Sequence, residues 1–154
     1  MNLLHISSAV VWVDFFTIAL HRMMGLGNSL DEWYSKFGIV AVLSDCSVIV
    51  IGVLIAKMFF PSFPLLPTAI AIQIIHDVLF YLLVILPIPR GHNNMIDLFK
   101  DYANENGWGI LVADSLMIGS TVLIGDYLSS LSIPVVQLTG LVGLYALTYI
   151  LYTK

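Results

Sequence analysis

Charged residues are scarce in this chain. Of its 154 residues, 10% are Asp, Glu, Lys or Arg and 59% are hydrophobic, and the mean hydropathy is +0.96. A soluble domain usually carries about 25% charged residues, because its surface faces water. So few charges cannot cover a water-facing surface, which excludes an ordinary soluble domain. The composition therefore predicts an integral membrane protein whose main partner is the lipid bilayer.

Cysteine and basic residues are also in short supply. Cys46 is the only cysteine, so no disulfide can form within the chain, and its apolar setting favours a packing residue over a reactive thiol. Six Lys and Arg stand against ten Asp and Glu, which argues against a nucleic-acid partner because such partners select a basic face. The amino terminus has no basic region before its apolar stretch and holds Asp14 inside it. We therefore expect a retained first span rather than a signal peptide.

Long apolar runs make up most of the chain. A bilayer core of about 30 Å needs about 20 helical residues per crossing. Five segments qualify, at approximately 3–24, 38–60, 65–88, 108–131 and 133–153. Connections that contain Gly, Pro, Ser or Asn separate them, and no long linker or low-complexity tract interrupts the chain. The prediction is an all-α bundle of about five transmembrane helices that forms a single domain over residues 1–154.

The connection between the third and fourth spans should hold a short helix. Its apolar side chains share one helical face, its charges lie off that face, Asn93 or Asn94 can cap its start, and Gly107 suits its end. The apolar face consists of Met95, Ile96, Phe99, Tyr102 and Ala103. This pattern predicts a helix that lies in the membrane interface. A plain amphipathic linker that packs on the bundle is the alternative.

The connection before the second span contains a capping pattern. Ser29 is followed three residues later by Glu32, which fits a capping box that satisfies free amides at a helix start. We therefore expect the second helix to begin near Leu30. Trp33 and Tyr34 should then lie at the level of the lipid headgroups, where aromatic residues are enriched.

Lys and Arg are unevenly divided between the two sides of the membrane. With five crossings, Lys57 is alone on one side, and five basic residues lie on the other: Arg22, Lys36, Arg90, Lys100 and Lys154. Because cytosolic loops carry an excess of Lys and Arg, the amino terminus should be non-cytosolic and the carboxyl terminus cytosolic. A four-span arrangement would break this asymmetry.

One aspartate lies in each of the first four spans: Asp14, Asp45, Asp77 and Asp114. At a rise of about 1.5 Å per residue, Asp45 and Asp114 lie roughly 9–11 Å from the cytosolic helix ends, and Asp14 and Asp77 roughly 15–16 Å. The acids thus share one layer in the cytosolic half, and no Lys or Arg lies in it. An uncompensated charge near the centre of a span costs at least about 3 kcal/mol. The acids must therefore hold protons, surround a cation or be reached by water.

Neighbouring residues indicate that these acids face protein rather than lipid. Gln73 and His76 share an arc with Asp77, Ser115 lies beside Asp114, and small residues surround Asp45 on its helix. Asp14 belongs to a polar stripe with Ser7, Thr17 and His21. The candidate ion-binding or pathway residues are therefore Asp14, Asp45, Asp77, Asp114, His76, Gln73 and Ser115. The fifth span holds no acid, and its glycines favour a packing helix or a homo-oligomer contact.

Three functions fit this polar layer. Intramembrane acids most often bind or conduct protons or small cations, and four acids exceed what packing alone requires. The second function is structural, with protonated acids bonding helices together. The third is a membrane enzyme in which carboxylates and His76 hold a divalent metal and act on a lipid headgroup. No nucleophile motif, paired metal motif or phosphate loop occurs, so no catalytic residue is assigned and the sequence leans against an enzyme. Neither the ion nor any other cofactor can be named from the residues.

A thinner polar set lies towards the opposite face of the membrane. It consists of His5, Ser7, Ser8, Gln73, Asp126 and Gln137. Most of these residues are near helix ends, where contact with headgroups or water accounts for them. If this set and the aspartate layer line one crevice, the two together describe a path with two mouths.

One stretch of the chain carries a family resemblance. The sequence HDVLFYLLVILPIPRGHNNMIDLFKDYANENGWGILVADSLMIGS resembles uncharacterised small membrane proteins encoded by giant DNA viruses of protists. The carrying residues are the pair His76 and Asp77, the MIDLFKDYA helix and the ADS at residues 113–115. The resemblance covers about a third of the chain. It implies a viral or host membrane as the location and implies no activity.

Overall fold

The computed structural model describes residues 1–25 and 27–153, and this part of the chain forms seven α-helices. They are α1 (Leu3–Met24), α2 (Asn28–Phe37), α3 (Ile39–Phe59), α4 (Leu65–Phe80, continued by a π-helical turn over Tyr81–Ile85), α5 (Asn94–Asn106), α6 (Gly109–Leu128) and α7 (Ile133–Tyr152). Within the same residues, five helices are long and apolar enough to cross a membrane: α1, α3, α4 with its π turn, α6 and α7. The prediction of an all-α protein with five spans is confirmed. Lys154, which was counted in the charge asymmetry, lies outside the described residues.

Helix α1 is defined at both ends by local hydrogen bonds. The Asn2 side chain accepts a hydrogen bond from the His5 amide at 3.3 Å, and His5 Nδ1 accepts one from the Asn2 amide at 3.0 Å. At the other end Gly25 adopts a left-handed conformation with φ 62°, and its amide donates to the His21 carbonyl at 2.9 Å. The glycine is required there because side chains disfavour a positive φ.

The spans pack around α1. Helix α1 contacts α3, α6 and α7, while α4 packs against α3 and α6. The largest fully buried side chains are mostly β-branched and come from α1, α3, α6 and α7: Ile6, Ile18, Ile118, Val10, Val53, Val136 and Thr121, together with Asp14. The core therefore lies between α1 and its neighbours, and α7 forms an outer layer.

Glycines allow α7 to approach α1 closely. A Cβ added at Gly140 would lie 2.6 Å from Ser8 Oγ, and one at Gly143 would lie 2.9 Å from Val11 Cγ1. The Ser8 hydroxyl also donates a hydrogen bond to the Val136 carbonyl at 3.3 Å. The predicted packing helix thus uses its small residues inside one chain. Association of several copies through such faces stays a prediction.

The second helix begins close to the predicted position, since α2 starts at Asn28. It is not continuous with the second span, because Gly38, with φ 51° and ψ −125°, divides it from α3. Ser29 does not cap this helix, because it lies inside the first turn and Gly27 occupies the cap position. The amides of Asn28 and Ser29 donate instead to the Glu105 carboxylate of α5, at 2.8 and 2.9 Å.

Trp33 and Tyr34 lie on α2, and both are only 4% exposed. Helix α2 turns these aromatic side chains towards the bundle, so they pack against protein. Their position at the level of the lipid headgroups stays a prediction.

The short helix between the third and fourth spans is present as α5. The Asn93 side chain accepts hydrogen bonds from the amides of Met95 and Ile96, at 2.9 and 3.2 Å, and Gly107 ends the helix with φ 50°. Ile96 and Leu98 are buried. Helix α5 packs against α2, α6 and the π turn. Since α2 and α5 both join the same ends of the spans, they together cover one end of the bundle.

The tight contact between α1 and α7 can be tested with two glycines. We expect Gly140→Ala to lower the free energy of unfolding by about 1–3 kcal/mol, because its methyl group would overpack against Ser8. Gly109→Ala is the matched control, since nothing lies within 4 Å of a Cβ at that helical position. It should leave stability unchanged or raise it slightly. Thermal unfolding in detergent micelles measures both, and equal stability of the two variants would contradict the close approach.

Candidate functional site

The four aspartates of the spans form one electrostatically linked group, here named the aspartate cluster: Asp14 (α1), Asp45 (α3), Asp77 (α4) and Asp114 (α6). Asp14 lies within electrostatic range of Asp45, and Asp114 lies within range of both Asp77 and Asp45. The acids therefore form a series that runs Asp14, Asp45, Asp114, Asp77 across four helices. No hydrogen bond joins any two of these carboxyls within residues 1–25 and 27–153, so the link between them is electrostatic only.

Asp45 receives two hydrogen bonds from helix α2. Its Oδ2 accepts from Trp33 Nε1 at 3.0 Å and from the Tyr34 hydroxyl at 3.1 Å. Both donors are buried. A helix outside the membrane thus supplies the hydrogen bonds that this intramembrane carboxyl needs.

Asp77 receives its hydrogen bonds from its own helix. Its Oδ1 accepts from Gln73 Nε2 at 2.7 Å and contacts His76 Nδ1 at 3.0 Å, whereas its Oδ2 is buried without a partner. The Asp77 side chain is 12% exposed and that of His76 is 44% exposed. The π turn begins at Tyr81, one helical turn further on. Such turns are frequent at functional sites because they shift the register of a helix face.

Asp14 differs from the other acids of the cluster. It is fully buried, at 0% exposure, and neither of its carboxyl oxygens makes a well-aligned hydrogen bond among the described residues. The Tyr34 hydroxyl lies close enough to act on Asp14 as a donor, although its geometry is better for Asp45. Asp114 is half-buried. Neither Asp114 nor Ser115 forms a side-chain hydrogen bond within residues 1–25 and 27–153. Ser115 was predicted as a site residue, and the structure gives it no bond to the cluster.

Two tyrosines from the covering helices lie among the acids. Burial and the nearby carboxyls of Asp45 and Asp14 raise the pKa of Tyr34 well above its ordinary value. Burial and the carboxyls of Asp114, Asp45 and Asp77 likewise raise the pKa of Tyr102. Both phenols therefore stay neutral and keep a proton to donate. Neither tyrosine was among the predicted site residues, although Tyr102 belonged to the predicted apolar face of α5.

Polar contacts hold the covering helices in place. The two amides of α2 bind the Glu105 carboxylate, and hydrogen bonds from Ser29 and Asn28 lower the pKa of Glu105. His21 Nε2 lies 3.0 Å from Asp31 Oδ1, which ties the end of α1 to α2. These contacts join α1, α2 and α5 over the aspartate cluster.

The thinner polar set near the opposite face is used mostly for local structure. His5 caps its own helix and Ser8 bonds to α7, while Asp126 and Gln137 are exposed near helix ends. Gln73 is the exception, because it donates a hydrogen bond to Asp77 of the aspartate cluster and lines a crevice together with His76. Along α1, α3 and α6, the buried side chains of Val10, Val53 and Ile118 lie between the cluster and the helix ends on the opposite face.

The acids are strung out rather than gathered around one point. Within residues 1–25 and 27–153, no three His, Cys, Asp or Glu side chains are placed to hold a metal ion. A bound divalent cation needs several oxygen or nitrogen ligands from one small shell.

No family model, curated protein or solved structure matches the chain. The resemblance to small membrane proteins of giant viruses stays a prediction. The function is therefore inferred from the geometry and chemistry of the residues themselves.

The Glu105 contact predicts a pH dependence of the covering helices. Because the folded pKa of Glu105 lies below its ordinary value of 4.5, its contribution to stability is complete above that pH. The contribution is lost as the pH falls through the lower folded value. We expect acid to release α2 and to change the fluorescence of Trp33, recorded in a Trp12→Phe, Trp108→Phe background.

Glu105→Gln is the control for this experiment. Its amide oxygen still accepts a hydrogen bond at the start of α2 but does not titrate in acid. The fluorescence change should therefore be absent or much smaller in that variant. An identical acid transition in both proteins would remove Glu105 from this role.

Proposed function

We propose that the aspartate cluster is a proton-binding site, and that this multi-pass membrane protein moves protons, or a small cation in their place, through the cytosolic half of the bilayer. The observation that carries this proposal is Asp14. Its carboxyl is completely buried, makes no well-aligned hydrogen bond among the described residues and lies near a second acid. A carboxylate left ionised and alone at that depth is costly, so the group requires a proton or a cation.

A purely structural role does not account for Asp14. Polar residues stabilise membrane helix pairs by bonding across the interface, at about 0.6 kcal/mol per contact on average. Asp14 makes no well-aligned hydrogen bond in the described part of the chain, and the Tyr34 hydroxyl that lies close enough to donate to it already bonds to Asp45. Leu or Val in its place would pack as well without the cost of burying a carboxyl.

A proton suits the cluster better than a multiply liganded cation. A proton needs one acceptor atom at a time, whereas a divalent cation needs a shell of ligands. The described residues offer no set of three metal-binding side chains. The lipid-directed metal enzyme is disfavoured for the same reason, since its carboxylates and His76 do not form a preformed centre.

Neutral donors between the acids support transfer within the layer. The Tyr34 hydroxyl bonds to Asp45 and lies within electrostatic range of Asp14, and Tyr102 lies within range of the other three acids. Tyr34 already bonds to Asp45, so it is the residue best placed to pass a proton between Asp45 and Asp14. Passage to the opposite face needs a change of conformation, because apolar side chains such as Ile6 and Ile118 fill the bundle there.

The orientation proposed from the charges also fits the covering helices. Helices α2 and α5 lie at the end of the bundle that holds most of the Lys and Arg, and the positive-inside rule makes that end cytosolic. The aspartate cluster then draws its protons from the cytosol, past Glu105 and His21. The amino terminus lies on the other side.

A structural role is the second candidate, and Asp45 is the residue that favours it. Its Oδ2 bonds to two side chains of α2, which is the behaviour of a polar residue that holds helices together. The two candidates differ for Asp14, which makes no such well-aligned bonds.

Asp14→Asn separates the two candidates. The change keeps the shape of the side chain and removes the titratable group, so we expect proton flux in liposomes to be abolished. Thermal stability should stay level or rise, because the Asn amide oxygen can still accept a hydrogen bond from Tyr34 and no charge has to be buried. Flux under an imposed pH gradient, followed with an internal pH-sensitive dye, measures the first effect. Unfolding in detergent measures the second.

Asp126→Asn is the matched control, because Asp126 is an exposed acid near the opposite helix end. It should leave both flux and stability unchanged. Flux that persists in Asp14→Asn at the wild-type rate would contradict the proposal. Loss of stability in that variant, with flux retained, would favour the structural role.

The orientation has its own test. Ser35 (α2) and Ser130 (after α6) are both exposed serines on opposite sides of the bundle. In a Cys46→Ser background we expect Ser35→Cys to react with a membrane-impermeant thiol reagent only from the cytosolic side. Ser130→Cys should react only from the other side. The reversed pattern would overturn the assignment.

A further inference from the structure

A crevice of about 290 Å³ lies between α3 and α4, on the side of the bundle away from α7. Its walls are apolar, and its polar lining consists of Ser44, Ser47, Gln73 and His76. Ser44, Ser47 and His76 are exposed, so the crevice opens sideways. For a membrane-spanning bundle, a sideways opening faces the lipid.

His76 presents an unused nitrogen in this crevice. Asp77 Oδ1 accepts a hydrogen bond from the Gln73 amide. Because this oxygen carries no hydrogen, it also acts as the acceptor in its contact with His76 Nδ1. His76 Nδ1 therefore carries the hydrogen, and the Nε2 of a neutral ring is left as an acceptor. Within the described residues Nε2 has no hydrogen-bond partner. The Phe80 ring stacks on the imidazole at a centroid distance of 5.7 Å, which fixes the plane of the ring.

The two serines add further unpaired polar groups. Neither the Ser44 nor the Ser47 hydroxyl bonds to another group in residues 1–25 and 27–153. A hydroxyl that faces hydrocarbon without a partner is costly. Three polar groups that converge on one crevice at the lipid surface therefore indicate a ligand that bonds to them.

Depth limits the chemistry of that ligand. From the helix ends at Ile39 and Ile85, Ser44 lies about 8 Å, Ser47 about 12 Å and His76 about 13 Å into the membrane. A hydrocarbon half-layer is about 15 Å thick, so these groups lie well below the phospholipid headgroups. Moving a charged headgroup to the depth of these residues is costly. An uncharged molecule with a hydroxyl group can reach that depth and bond to them.

We propose that this crevice binds an uncharged lipid alcohol or phenol, whose hydroxyl donates to His76 Nε2 and accepts from Ser44 or Ser47. The volume lies near the lower end of the range for small-molecule pockets, about 300–1,000 Å³. It therefore holds the polar end of the ligand, while the tail lies along the open side in the bilayer. The inference does not rest on the proposed function, because the binding requires no proton transfer.

The test uses a photoreactive probe in lipid nanodiscs. A long-chain alcohol with a diazirine near its hydroxyl is compared with its methyl ether, which cannot donate a hydrogen bond. After illumination, mass spectrometry locates the adducts on the full chain. We expect the alcohol to label the lining of the crevice roughly fivefold more than the ether, as expected for one net hydrogen bond.

Two variants of α3 control for the shape of the crevice. Ile51 lines it and is 54% exposed, whereas Leu43 does not line it and is 59% exposed. Ile51→Trp should fill the crevice and remove the preferential labelling, and Leu43→Trp should keep it. His76→Phe should abolish the preference for the alcohol over the ether, with folding checked by thermal unfolding of the same sample.

Two results would overturn the proposal. Equal labelling by alcohol and ether would show that the hydroxyl donates no hydrogen bond in the crevice. Adducts spread evenly over the lipid-facing helices would show an ordinary lipid contact. Each result is independent of proton flux, so failure here leaves the proposed function to its own test.

Discussion

A carboxyl group buried in a bilayer needs hydrogen-bond donors or a neutralising partner, and that need explains much of this structure outside the spans. The spans alone provide few donors, because their side chains are mostly aliphatic. Helix α2 brings Trp33 and Tyr34 to Asp45, and helix α5 brings Tyr102 among the other acids. These aromatic residues can enter a hydrophobic bundle because each has an apolar body and one polar atom. The two short helices therefore complete the membrane domain.

The position of α2 depends in turn on a charge outside the membrane. Glu105 accepts hydrogen bonds from the first amides of α2, and a carboxylate at a helix start also interacts favourably with the helix dipole. Gly27 permits this approach, because a Cβ there would lie 2.9 Å from the Glu105 carboxyl. Ionised Glu105 thus helps to hold α2 in place, and α2 carries Trp33 and Tyr34, which donate hydrogen bonds to Asp45. This connection links the cytosolic surface to Asp45 through one short helix.

Hydropathy predicted the spans, because it depends only on local sequence. The Asn93 cap and the apolar face of α5 were predictable for the same reason. The break between α2 and α3 was missed because the apolar run of α3 begins directly after Gly38. The Ser29 and Glu32 pattern was misleading, since the true partner of the α2 amides comes from the distant residue Glu105. Whether Ser29 or Glu105 satisfies these amides depends on the tertiary structure.

The difference between Asp14 and Asp45 was also beyond sequence reasoning. Both acids lie in apolar spans that are hydrophobic on all sides, so periodicity does not define which face turns inward. Their partners depend on where α2 docks, and that position depends on α5. That Asp45 is hydrogen-bonded to α2 while Asp14 lacks a well-aligned hydrogen bond is therefore a property of the assembled bundle.

Asp77 connects the two sites of this molecule. One of its oxygens bonds to Gln73 and His76, whose side chains line the lateral crevice, and its carboxyl lies within electrostatic range of Asp114 in the cluster. A hydroxyl that donates to His76 Nε2 polarises the imidazole, which then donates more strongly to Asp77 and favours its ionised form. If the cluster releases protons and the crevice binds a hydroxyl, as proposed, the two events favour each other. Because linkage is reciprocal, an equal change in free energy applies in both directions.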